Sequence, residues 1–140
     1  MKYETPNMEV IELEVKDVIC TCVNIKKQVV ENDEFDTGER MLLNLGHTIG
    51  HAVESCSNYQ LSHGPAVATG MAMIARAAQR QNFCDPDVCL QTLALLTQFD
   101  LPCHTDFGAG ELFQAACRDK KRSDDTIKLI IPKSIGDCRI

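Results

Sequence analysis

Arg40-Met41-Leu42-Leu43-Asn44-Leu45-Gly46-His47-Thr48-Ile49-Gly50-His51-Ala52-Val53-Glu54 is the stretch on which the reading of this chain turns. At about 100° per residue, a helix over it gathers Arg40, Asn44, His47 and His51 within an arc of roughly 60°. Leu42, Leu45, Ile49, Val53 and Cys56 face the other way. Such a helix buries one side and presents a guanidinium, an amide and two imidazoles along the other. Of the chain's 4 histidines, His47, His51 and His63 lie close together in sequence, which marks the polar stripe as a candidate site.

Working outward, length and composition bound the possibilities. The chain has 140 residues, enough for one domain with a sizeable core. Its 44% hydrophobic and 24% charged content is ordinary for a globular protein. A net charge of −6 argues against nucleic acid, because a phosphate backbone demands a basic surface. No apolar run approaches the ~20 residues that span a bilayer, and no basic start leads into an apolar signal region. The expectation is a cytoplasmic protein with no membrane partner. Of the 8 cysteines, Cys20 and Cys22 come closest to a pair, too tightly spaced for zinc. All eight are expected to be small apolar thiols in a reducing compartment.

The chain organisation is mainly helical. Residues 1–20 alternate acidic and aliphatic positions, as in Glu9-Val10-Ile11-Glu12-Leu13-Glu14-Val15, and predict a strand or an extended arm. A helix is predicted over 18–31, a loop or frayed end over 32–38, and the histidine helix over 39–57. Gly64-Pro65 opens a further helix over 65–81, with proline at its first position. That helix is rich in Ala66, Ala68, Gly70, Ala72 and Ala75, and its small residues match Gly46 and Gly50 as a close-packing surface. Asp85-Pro86 starts a helix running to Phe99. Leu101-Pro102 stops it, and a short helix is predicted over 111–117. Residues 126–131 and 137–140 predict two strands, with Pro132 and Gly136 breaking the run between them.

The chemistry starts from the imidazoles. His47 and His51 stand four residues apart, so one helical face brings both to a divalent metal, and His63 stands ready to complete the set. The alternative is a packing coincidence of two helical histidines. Arg40 and Asn44 beside a metal point to an anionic, oxygen-rich substrate, with the guanidinium forking onto phosphate or carboxylate. Residues alone lead to a metal-assisted reaction on a phosphorylated or acidic small molecule.

Leu43 to Glu54, followed by Leu61-Ser62-His63-Gly64 and Ala66-Val67-Ala68, resembles the signature of the 3-dehydroquinate synthase family. Upstream Ile25-Lys26, Val29-Val30, Asp33-Glu34 and Gly38, and downstream Asp119-Lys120-Lys121, are similar to that family in order and spacing. The resemblance covers 22–140 and corresponds to the C-terminal, metal-binding domain alone, leaving 1–21 as an atypical N-terminal arm. It implies a mainly α fold with a short two-stranded β element near the C-terminus.

The resemblance further implies a lyase of the shikimate pathway, leading to aromatic amino acids. Such enzymes use a divalent metal, zinc most commonly with cobalt an alternative, and NAD held in a separate N-terminal domain. They convert 3-deoxy-D-arabino-heptulosonate 7-phosphate into 3-dehydroquinate with loss of phosphate. By position, His47 and His63 resemble the metal-ligand histidines. His51 resembles the histidine that contacts substrate and assists proton movement. Lys26 resembles the catalytic-site lysine that anchors the substrate's acidic end. Arg40 and Asn44 resemble substrate-binding residues, as does one of Lys120 and Lys121. Pro65 stands where the family carries a polar or acidic residue.

Two features of the family pattern have no counterpart in the sequence: the glutamate that serves as third metal ligand, and the glycine-rich loop that holds NAD. The implied partner is therefore a separate chain carrying the NAD-binding half, and the face it would cover makes homo-oligomerisation an expectation. The alternative is a non-catalytic truncated metal-binding or interaction module.

Overall fold

A computed structural model describes residues 15–35, 38–120 and 127–140. It is mainly helical, as the sequence predicts: α1 (Val15–Asn32), a 3-10 helix (Glu39–Asn44), α2 (His47–Cys56), α3 (His63–Arg80), α4 (Pro86–Gln98) and α5 (Ala109–Lys120). A hairpin of β1 (Ile131–Ser134) and β2 (Asp137–Arg139) ends the chain. The backbone divides into two compact units, 1–40 and 41–140.

In the first unit, α1 begins before the helix expected over 18–31. It takes in 15–20, the end of the segment read from its alternation as a strand or an arm. Val15, Val18, Ile19 and Cys22 repeat at helical spacing, and that period prevails over the period of two. Residues 1–14 of the expected arm lie outside the described residues. Lys27 pairs with Glu31 one turn on, at 3.7 Å and with both side chains well exposed, which contributes a few tenths of a kcal/mol at most. Beyond α1, the Asp33 carboxylate accepts hydrogen bonds from the backbone N–H of Gly38 (2.8 Å) and of Arg40 (3.0 Å). The Arg40 guanidinium donates to the Glu34 carbonyl at 2.8 Å. The loop expected after α1 is thus closed by its own polar groups.

The second unit is built around α3. Ala66, Ala68, Thr69, Gly70, Ala72, Ile74, Ala75 and Ala78 are buried along it, so it meets neighbours on more than one side. Toward α2 and α5 the core consists of Ala52, Val53, Ala66, Leu112 and Ala115. Toward α4 it consists of Ala68, Ala72 and Leu96, with Leu93 and Leu101 against them. The buried Thr69 hydroxyl donates to the Pro65 carbonyl at 3.1 Å, satisfying itself within its helix. Arg76 donates to the Cys103 carbonyl, which fastens the segment after α4 to α3.

Glycines set the spacing of α2 and α3. A Cβ on Gly70 would lie 2.1 Å from the Gly46 carbonyl oxygen and 2.9 Å from the Gly50 nitrogen. A Cβ on Gly50 would lie 2.9 Å from Val67 Cα. The two backbones touch, as the small-residue pattern predicts.

The expected single helix over 39–57 is not formed. It breaks at Leu45–Gly46 into the 3-10 helix and α2, with Gly46 at φ 80°, a left-handed conformation that suits glycine. The turn is forced by the same contact: Gly46 sits on α3, where a side chain would strike the backbone of Met71 and Val67.

The other helix ends carry their own logic. α3 starts at His63, two residues before the expected Pro65, with Ser62 as its N-cap residue. Pro65 falls in the first turn, where N–H groups have no intrahelical partner, so its missing donor costs nothing. α4 starts at Pro86 after Asp85, as expected. Asn58, Asn82 and Asp100 adopt positive φ just past α2, α3 and α4. Behind each the chain closes a paired-bond turn: Tyr59 N–H bonds the Glu54 carbonyl (2.8 Å), Phe83 that of Ala78 (2.9 Å) and Leu101 that of Leu96 (2.9 Å).

α5 is longer than the expected 111–117, and the strands also shift. β1 contains Pro132, which was expected to break it, while 127–130 form no strand and 121–126 lie outside the described residues. Pro132 faces Cys138 in a two-stranded antiparallel ribbon. A strand with one partner has a free edge, so a missing N–H is tolerated there. The hairpin joins the helices through Asp85 N–H to the Lys133 carbonyl, 2.8 Å.

Replacing Gly70 by alanine should lower unfolding stability by about 1–3 kcal/mol, because a backbone contact must open to admit the methyl group. Gly110→Ala, at a helical position with nothing within 4 Å, should instead be neutral or raise it by up to about 1 kcal/mol. Urea denaturation of the two variants checks both; an unchanged midpoint for Gly70→Ala would remove the close contact as the source of the helix spacing.

Candidate functional site

Three imidazoles meet where α2 and α3 begin. His47 is the first residue of α2, His51 follows one turn on, and His63 is the first residue of α3. The turn at Gly46 aims α2, and the glycine contact sets its distance from α3, so both helix starts come together. Ring centroids are 5.2 Å apart for His47 and His63, 5.8 Å for His47 and His51, and 5.8 Å for His51 and His63. Two imidazoles sharing a tetrahedral ion through nitrogens at about 2.0–2.1 Å have centroids roughly 5 Å apart, so the His47–His63 spacing suits a shared ion.

A fourth group joins them. Glu54 stands three residues beyond His51 on α2, and its carboxylate Oε1 lies 3.2 Å from His63 Nδ1. Donor atoms of His51, Glu54 and His63 all lie within 4.8 Å of one another, a group able to hold a metal ion. Glu54 was quoted in the sequence pattern but given no role there. The signal was present: His47, His51 and Glu54 are spaced i, i+4, i+7 and share one helical face.

The electrostatics favour a neutral ring at His47. His47 has its pKa lowered from the ordinary imidazole value, first by burial, then by the neighbouring His63 and His51; backbone hydrogen bonds to Leu45 and Asn44 oppose this. His47 Nδ1 lies 3.4 Å from the Leu45 carbonyl oxygen, which only accepts, so the proton of that bond sits on Nδ1. The partial positive charge at the N-terminus of α2 acts on His47 in the same sense as burial. Neutral imidazole is the form that binds metal.

The other predicted site residues stand on other elements. Asn44 is exposed at the end of the 3-10 helix, so it does not continue the face of α2 that carries His47 and His51. Arg40 begins on that same 3-10 helix, within the first unit, with its guanidinium on Glu34. The positive φ at Gly46 breaks the continuous helix on which Asn44, His47 and His51 were expected to share a face. Lys26 is exposed on α1, in the first unit. Lys120 is the last residue of α5, and Lys121 lies outside the described residues.

A cleft of about 360 Å³, bordered by Ile49, Ala52, Met73, Leu112 and Phe113 among others, is almost wholly apolar. Among the described residues, Thr48 is the one polar side chain in its lining, which suits an apolar group better than a sugar phosphate. The eight cysteines are all free thiols, and burial pushes those of Cys56, Cys84 and Cys138 up from the usual thiol pKa, away from reactivity. No helix among the described residues is long and apolar enough to cross a membrane.

Comparison with known proteins gives this geometry a family. Residues 2–122 match the sequence profile described as 3-dehydroquinate synthase C-terminal. The matched span takes in most of the segment 1–21 that the sequence pattern had set apart. The 3-dehydroquinate synthase of Clostridium beijerinckii is 40% identical over 133 residues, covering 94% of this chain and 38% of that protein. Those of Clostridium acetobutylicum and Enterococcus faecalis are 42% and 39% identical, over 90% and 89% of this chain and 36% of each relative. The chain thus spans under two fifths of the length of the relatives it matches, and across that span it belongs to the 3-dehydroquinate synthase family as the family's C-terminal domain.

Proposed function

We propose that this chain is the metal- and substrate-holding part of a 3-dehydroquinate synthase. In this reading it takes part in the metal- and NAD-dependent conversion of 3-deoxy-D-arabino-heptulosonate 7-phosphate to 3-dehydroquinate, with loss of phosphate, in the cytoplasm. The observation that carries the reading is the meeting of His47, His51 and His63 at the starts of α2 and α3, with His47 and His63 at a spacing suited to one ion.

His47 and His63 are the metal ligands in this reading, and the donor set suits zinc or another imidazole-binding divalent ion such as cobalt. A bound ion supplies Lewis-acid polarisation of substrate oxygens. His51, one turn along α2, contacts substrate and moves a proton near the departing phosphate. Lys26 is assigned the substrate's carboxylate end. Arg40, Asn44 and one of Lys120 and Lys121 are assigned its remaining oxygens, with the fork of the guanidinium matched to phosphate. The described residues contain no strand–glycine-loop–helix unit of the kind that cradles a dinucleotide. NAD chemistry and the third metal ligand enter from outside them, on a separate chain or further polypeptide. Association between copies is a further part of the proposal, checked by size-exclusion chromatography.

Metal binding tests the ligand assignment. Titration with cobalt(II) should show binding that falls at least about tenfold in His47→Ala and in His63→Ala, while His51→Ala retains it, since a missing ligand imidazole removes a coordinate bond. Loss in His51→Ala with retention in His47→Ala would instead make His51, Glu54 and His63 the ligands.

Turnover tests the rest. The purified chain with NAD and zinc should form no 3-dehydroquinate. Addition of the NAD-binding half of the Clostridium beijerinckii relative should release phosphate, and His51→Ala should abolish that release. Turnover by the chain alone would overturn the need for a second half, and metal binding with no turnover in the mixture would leave a non-catalytic metal-binding module.

A further inference from the structure

We propose that Glu54 is a positioning residue of the metal site: its carboxylate holds His63 with the proton on Nδ1, so that the Nε2 lone pair is presented to the ion. The inference rests on the reading of His47 and His63 as metal ligands.

Geometry carries it. Glu54 Oε1 lies 3.2 Å from His63 Nδ1, with the Glu54 side chain 13% exposed and the His63 side chain 56% exposed. An ionised carboxylate accepts and does not donate, so a neutral His63 in this bond carries its proton on Nδ1. Nε2 is then the free donor atom. His47 repeats the arrangement with a different partner, its Nδ1 facing the Leu45 carbonyl at 3.4 Å. Each ring has Nδ1 committed to an oxygen of the protein, which leaves two Nε2 atoms for one ion. Metal-binding histidines ordinarily use one nitrogen for the metal and give the other N–H to a carboxylate or carbonyl.

The exposed ring is the one that needs a tether. His63 is the first residue of α3, preceded by an N-cap serine whose side chain makes no cap bond. Glu54 is itself well fixed. Its carbonyl accepts from Tyr59 N–H at 2.8 Å and from the Ser57 hydroxyl at 2.9 Å, in the turn that ends α2. A rigid helix end thus places a half-buried carboxylate against an exposed ring.

Two measurements on the full chain decide the matter. In metal-free protein, long-range proton–nitrogen NMR at a pH above the imidazole range should show the Nδ1–H tautomer for His63. Glu54→Ala should shift it toward the Nε2–H form, and Glu54→Gln, whose amide oxygen still accepts, should restore it. Zinc affinity measured by competition with a chromophoric chelator should fall roughly 10–100-fold in Glu54→Ala and by less in Glu54→Gln, the range for loss of an outer hydrogen-bond partner. The cobalt(II) absorption of both variants should keep its band positions.

An unchanged tautomer and affinity in Glu54→Ala would overturn the proposal. So would loss of binding in both variants with shifted cobalt bands, because that makes Glu54 a ligand. If the native chain takes up no metal, the ligand reading of His47 and His63 fails, while the tautomer comparison still decides whether Glu54 orients His63.

Discussion

Backbone contact between α2 and α3 is the constraint from which the site follows. Gly70 admits the Gly46 carbonyl at a distance that any Cβ would prohibit, and Gly50 rests on Val67. With side chains in between, helix axes stand 8–10 Å apart as a general tendency; small residues allow closer approach. Because His47 starts one helix and His63 the other, this separation sets how near the two imidazoles come. Gly46 has a second duty. Its left-handed φ ends the 3-10 helix and lets α2 start at His47, so one residue both turns the chain and seats it on α3.

Much of this was legible in the sequence, for physical reasons that can be named. The histidine cluster was visible because i, i+4 spacing holds in any α-helix, and the glycine–alanine match between 46–50 and 66–75 signalled close packing. The break at Gly46 was hidden, since the apolar period runs formally through it and a glycine within a helix also reads as a packing device. Only the carbonyl of Gly46 against Gly70 reveals that both apply. The ends of α2, α3 and α4, expected at 57, 81 and 99, fall within one residue of those positions. Asn58, Asn82 and Asp100 take left-handed backbone just beyond them, a conformation that Asn and Asp tolerate better than most residues. Pro132 misled because proline disrupts a central strand, and a two-stranded ribbon has no central strand. Glu54 was overlooked because its role appears only once His63, distant along helix and loop, is seen beside it.

The family match and the geometry constrain one another. A sequence profile covering 2–122 identifies descent, but which nitrogen of which ring faces a ligand is a question of local hydrogen bonds. The Leu45 carbonyl and the Glu54 carboxylate each take an Nδ1, and that common feature distinguishes His47 and His63 from an arbitrary pair of neighbouring rings. The two oxygens differ in charge. A carbonyl orients a ring without altering the net charge of the site, whereas a carboxylate adds a negative charge that a bound cation offsets. Glu54 is therefore tolerated against His63 at little cost when the ion is present.

In the proposed enzyme, an acidic chain that handles an anionic substrate needs a local reversal of its field. The net charge of −6 repels phosphate and carboxylate at long range. Burial of His47 disfavours a proton charge on that ring. Positive at the imidazoles are the N-terminal end of α2, that of α3 and any divalent ion held between them. Helix ends alone carry about half a charge each and are screened within a turn. A divalent ion outweighs both ends together, so in the proposed enzyme the same two histidines that fix it also create the attraction that draws the substrate's oxygens to this end of the helix pair. Ligand loss then weakens substrate binding as well as metal binding, even for substrate groups that never touch an imidazole.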